Sequence, residues 1–112
     1  MQAQGLLNIR PWSFVDTVTR FGAVEELAEK YGYLASIFGG TVSRGAGRDL
    51  DILMTPRREM IATRDGFLAA FGGEEVHRNV DESKGIWSIE LARNGRIYDF
   101  VFGTVGKPRG TE

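Results

Sequence analysis

Cysteine is absent from the 112 residues, which excludes disulfides, thiolate metal centres and cysteine nucleophiles and is compatible with a cytoplasmic protein. Histidine occurs once, as His77, and reads as an exposed strand residue rather than a ligand. No stretch approaches the roughly 20 apolar residues that span a bilayer. The start of the chain, MQAQGLLNIRPW, lacks a basic segment followed by a long apolar run, so neither membrane insertion nor secretion is expected. Charge of one sign is also missing. The net charge is -1 and the pI about 5.9, leaving no global field to gather phosphate backbones, and bulk nucleic-acid binding is not expected.

Apolar residues make up 42% and charged residues 26% of the chain, a balance suited to a globular domain with one modest core. Residues 1–112 therefore read as a single domain, with 103–112, which has no apolar periodicity, as a frayed tail. The 15 glycines fall mostly between apolar runs and act as punctuation. Ser13 with Asp16 reads as a capping pair for a helix whose apolar positions are Phe14, Val18, Phe21, Val24, Leu27, Ala28 and Tyr31, and Gly32 closes it. Leu34 to Phe38 reads as a buried strand ended by Gly39 and Gly40, and Asp49 to Met54 as a second strand. Thr55 and Pro56 supply a cap and a first helical position for a helix through Met60, Ile61, Phe67, Leu68 and Phe71, closed by Gly72 and Gly73. A weaker strand spans Glu74 to Asn79.

Asn94-Gly95 predicts a type I′ turn between two strands. A two-residue loop then sets Leu91 opposite Tyr98, Ile89 opposite Phe100 and Trp87 opposite Phe102 on an apolar face, with Glu90 opposite Asp99 on the other. Two helices and four or five strands describe an α+β fold, a mixed β-sheet with helices packed on one face and the other free for a ligand.

Alternation along a strand places Asp49 and Asp51 on one face. Carboxylates held this close oppose each other's ionisation unless a cation or solvent intervenes, and a hard divalent ion such as Mg²⁺ binds through one or two carboxylates plus substrate phosphates. The pair also suits an exposed strand start, solvated or paired with Arg48. Upstream, the Gly39-Gly40-Thr41 turn can direct backbone N–H groups at an anion. Asp99 lies between Ile97 and Val101, and facing Glu90 it needs a positive neighbour: a metal, or one of Arg44, Arg48 and Arg96. The Glu90–Asp99 pair is expected to titrate as a coupled pair with one raised step.

Gly40-Thr41-Val42-Ser43-Arg44-Gly45 followed by Arg48-Asp49-Leu50-Asp51-Ile52 resembles the signature of the DNA polymerase β-type nucleotidyltransferase superfamily: a Gly-Ser turn, a short loop and an Asp-x-Asp strand. Asp99 in Ile97-Tyr98-Asp99-Phe100 matches the third acid. Thr41 stands where Ser is usual, and the loop from Gly45 to Asp49 is short. No room remains for the helical second domain of larger members, and in size the chain is similar to the minimal nucleotidyltransferases, including the partners of HEPN-type toxins. The resemblance implies a nucleotidyltransferase of the fold described above, cytoplasmic, using Mg²⁺ or Mn²⁺ to move an NMP group from an NTP, ATP first among them, to a hydroxyl on a protein, RNA or small molecule. Asp49, Asp51 and Asp99 would be its catalytic and metal-binding acids, and Gly39, Gly40, Thr41 and Arg44 its nucleotide-binding residues; the hairpin register, apart from the resemblance, adds Glu90 beside the metal. The alternative is a non-catalytic module of the same fold, an antitoxin-type partner of a protein such as a HEPN-type toxin.

Overall fold

The computed structural model describes residues 9–41 and 45–103; the expected tail beyond Gly103 lies outside them. In chain order the elements are β1 (Trp12–Ser13), α1 (Phe14–Lys30), β2 (Tyr33–Phe38), β3 (Ala46–Gly47), β4 (Asp49–Pro56), α2 (Arg64–Phe71), β5 (Glu74–Asp81), a 3-10 turn (Glu82–Lys84), β6 (Ile86–Arg93) and β7 (Arg96–Phe102). Five strands form one mixed sheet in the order β2-β4-β7-β6-β5, and β1 pairs with β3 in a separate two-stranded ladder. Within the large sheet β4 runs parallel to β7, and every other pair is antiparallel. This is the expected α+β mixed sheet.

The core lies on one face of that sheet. Leu50, Ile52 and Met54 of β4 and Tyr98, Phe100 and Phe102 of β7 are buried there against Phe67 and Phe71 of α2 and Val24 and Ala28 of α1. Aromatic edges fill most of it: the Phe67 ring meets Phe100 at 5.1 Å and Phe71 meets Tyr98 at 4.9 Å, both T-shaped, the geometry that ring quadrupoles favour. Trp12 closes one end, donating its indole N–H to the Ile97 carbonyl at 2.7 Å.

The start of α1 follows the local chemistry of its cap. Ser13 Oγ accepts the Asp16 N–H at 3.1 Å, and the Asp16 carboxylate accepts the Ser13 N–H at 3.4 Å. The Arg96 guanidinium donates to Asp16 at 3.0 Å, fastening this cap to the β6–β7 hairpin and holding the Asp16 carboxyl below its ordinary range. Replacing Ser13 with Ala is expected to cost about 1 kcal/mol in urea denaturation; an unchanged midpoint would mean that the Arg96 contact alone sets the helix start. The buried stripe of α1 runs through Thr17, Val24 and Ala28. Phe14 and Val18, expected on the apolar face, lie about 60–100° to one side of that stripe at 3.6 residues per turn and are exposed, Phe14 by 68%.

Two further expectations are corrected. Leu34 to Phe38 belongs to an edge strand with only one face covered, so Leu34 and Phe38 are exposed. Thr55 and Pro56 end β4 rather than begin a helix, with Thr55 paired to Leu34 and Pro56 to Tyr33. Proline is tolerated at this last strand position, where the ladder no longer needs its N–H. The helix starts at Arg64 because the intervening segment is drawn back to the end of α1: Arg57 N–H donates to the Gly32 carbonyl and Thr63 N–H to the Tyr31 carbonyl, both at 2.9 Å. Gly32, at φ +84°, lies so close to the Ile61 and Ala62 backbone that a Cβ there would collide with it. Met60 and Ile61 consequently sit outside the helix, Ile61 with 92% of its surface exposed.

Candidate carboxylate and metal site

On the face away from the helices, one row of side chains crosses all five strands. Its members in register are Phe38, Asp51, Asp99, Glu90 and His77. The parallel β4–β7 pairing sets Asp51 beside Asp99, and the hairpin register sets Glu90 across from Asp99. That register follows from the turn, where Asn94 and Gly95 take φ +52° and +76°, the left-handed values of a type I′ turn.

Four carboxylates meet here. Oxygens of Asp49, Glu90 and Asp99 lie within 4.8 Å of one another. Asp51 and Asp99 are in hydrogen-bonding reach, so the two carboxyls can share a proton. Burial pushes the Asp99 carboxyl up to about 6, and the charges of Asp51, Glu90 and Asp49 push the same way. Asp49 and Asp51 are also raised, each first by burial. The neighbouring cation is Arg48, whose Nη1 reaches Asp49 at 2.6 Å and Glu90 at 3.3 Å. Of the arginines proposed for Asp99, Arg48 binds its neighbours and Arg96 binds Asp16. Among the described residues Asp99 itself has no ion pair.

The glycine turn is built around the same acids. Gly39 has φ +85° and packs so tightly on Asp51 that a Cβ there would strike the carboxylate. Gly40 and Thr41 begin a helical turn. Thr41, one of the nucleotide-binding candidates, is buried, and its hydroxyl donates to the Asp49 carbonyl at 2.6 Å. Gly47 leaves room for that hydroxyl, and the β1–β3 ladder pairs Gly47 with Trp12. An open cavity of about 230 Å³ lies between Gly40, Thr41, Gly47, Arg48, Asp49 and Asp51. Arg44, the remaining nucleotide-binding candidate, falls outside the described residues.

Arg48, in sequence only one of several possible partners for the acids, bridges Asp49 of β4 and Glu90 of β6 in the fold. His77 is the exposed strand residue expected, and a β-bulge between Glu75 and His77 shifts the register so that it pairs with Glu90. Simple alternation from Glu74 cannot reveal that. Comparison of the chain with family models, curated proteins and solved structures gives no match.

Proposed function

We propose that the chain is a metal-dependent nucleotidyltransferase. The observation that carries this reading is the meeting of Asp51 and Asp99 on a parallel strand pair, with Asp49 and Glu90 around them and a cavity opening toward the glycine turn. The donor set is all oxygen, anionic and crowded, which suits a hard divalent cation such as Mg²⁺ or Mn²⁺. Asp49, Asp51 and Asp99 would hold it, with Glu90 beside them. When bound, such an ion supplies charge neutralisation for a triphosphate and lowers the pKa of an acceptor hydroxyl.

The remaining steps belong to the chain's own groups. With the Thr41 hydroxyl committed to Asp49, the turn at Gly39, Gly40 and Thr41 contacts the phosphate tail through its backbone. Asp99 would help the bound ion activate the acceptor hydroxyl, whose proton passes to solvent. The hydroxyl oxygen then bonds to the α-phosphorus as the bond to pyrophosphate breaks. Arg48 releases Asp49 and Glu90 as cation and nucleotide enter.

A second reading, a non-catalytic partner module, draws on Arg48, which already bridges Asp49 and Glu90. Calorimetric titration with ATP and other NTPs, with and without Mg²⁺ or Mn²⁺, separates the cases. Binding that requires the metal and disappears in Asp51→Asn is expected. Equal binding with and without metal, or none, removes the enzyme reading. Transfer of α-labelled nucleotide to a co-purified protein or RNA distinguishes catalysis from mere binding.

A further inference from the structure

A second cavity, of about 520 Å³, opens on the helix-covered face at the far ends of β4 and β7. It is separate from the carboxylate row, which starts near the beginning of β4 on the other face. Pro56, Ile86, Trp87 and Phe102 give it apolar walls. Tyr33, Thr63 and Arg64 add polar groups to its lining. Tyr33 is only 5% exposed, lines the cavity, and has no hydrogen bond from its hydroxyl among the described residues. Arg64 and Asp65, at the start of α2, line the same cavity. The hydroxyl oxygen keeps surface in the open cavity, where a ligand can take its hydrogen bond.

Arg64 is the first residue of α2, and its guanidinium lies 4.0 Å from the centroid of the Trp87 ring. Its Nε is buried without a hydrogen-bond partner, and its one ionic neighbour, Asp65, is 3.8 Å away. Thr63, the N-cap, makes no side-chain bond to the first-turn amides. A cation stacked on Trp87, a helix start without side-chain capping and a phenol hydroxyl open to the cavity thus line one partly apolar space, and all of them offer protons. Asp65 and Glu82 also line it and are exposed, and their repulsion grows with each charge on an anion, favouring a single one.

We propose that this cavity binds a small planar aromatic carboxylate, its ring between the apolar walls and its single negative charge on Arg64, the Tyr33 hydroxyl and the start of α2. The full chain can be probed with 2-naphthoate and its neutral isostere 2-naphthamide, by calorimetry and by the two tryptophan indole N–H resonances. Trp87 lines the chamber, whereas the Trp12 N–H is held by Ile97 in the core, so the Trp87 signal should move with 2-naphthoate and the Trp12 signal should not. The amide should bind about tenfold more weakly or worse, and Arg64→Gln should weaken 2-naphthoate by a similar factor, the usual size of a lost charge-assisted hydrogen bond. Tyr33→Phe, which keeps the ring packing, should weaken it about threefold or more. No Trp87 shift at millimolar 2-naphthoate, equal affinity for the amide, or unchanged affinity in Tyr33→Phe would each overturn the proposal, the last even if Arg64→Gln fails to fold.

Discussion

Asp99→Asn should make the metal-free protein more stable at pH 7 by about 1–2 kcal/mol while removing its metal-dependent nucleotide binding. Asp99 is raised from the ordinary 3.8 to about 6, first by burial and then by Asp51 and Glu90. The folded state therefore holds this proton more tightly than the unfolded chain does. Its contribution to stability is complete below 3.8, declines as pH rises, and is lost once pH passes about 6. Above that value the folded protein confines a charge that the unfolded chain leaves in water. At roughly 1.4 kcal/mol per pKa unit the shift corresponds to about 3 kcal/mol, and water around a half-buried site reduces this to about 1–2 kcal/mol. Asparagine keeps the shape and carries no charge. Urea denaturation at two pH values is the check: the variant should gain little near pH 4 and most at pH 7. A variant destabilised equally at both would show that Asp99 has a structural bond unrelated to its charge. In the parent, metal affinity should fall as pH drops through about 6, because cation and proton compete for the same oxygens.

Phe67→Ala should cost about 3–5 kcal/mol, a large part of the roughly 5–15 kcal/mol that holds a domain folded. Phe67 is fully buried on α2, and its ring meets Phe71, Phe100 and Phe102 at 5.9, 5.1 and 6.2 Å. Truncation leaves a void that β7 cannot close, since its position is fixed by ladders to β4 and β6. The loss should appear as a lower denaturation midpoint, with Phe67→Leu recovering much of it. A loss below about 1 kcal/mol would mean that α2 shifts to fill the space.

The contrast between what could and could not be read in advance follows the range of the interactions. Asn94-Gly95 determines a hairpin through two backbone conformations, and with it the facing of Glu90 and Asp99. Ser13 and Asp16 cap α1 through contacts three residues apart. Thr55-Pro56 carries an equally strong local signal for a helix, yet pairing with Tyr33 and Leu34 keeps it in a strand, and no local rule contains that partner. The acids themselves stand out in sequence. Their division, with Asp51 against Asp99 and Arg48 bridging Asp49 to Glu90, depends on side-chain directions across three strands. His77 joins the row only through a bulge, and Phe14 and Val18 are exposed because the buried stripe of α1 is narrower than its apolar pattern.

The parallel contact between β4 and β7 has a consequence for the order in which the chain acquires its shape. It joins the two most sequence-distant neighbours in the large sheet, whereas the β6–β7 hairpin and the β2–β4 pair close over shorter spans. Entropy makes the longest closure the slowest to be repaid by contacts. Glu90 and Asp99 are thus neighbours as soon as the hairpin forms, while Asp49 and Asp51 join them only when the sheet is zipped across its middle. Each carboxylate pair brought together at that step resists the closure, and any cation they capture favours the completed sheet over every partly folded form that lacks it.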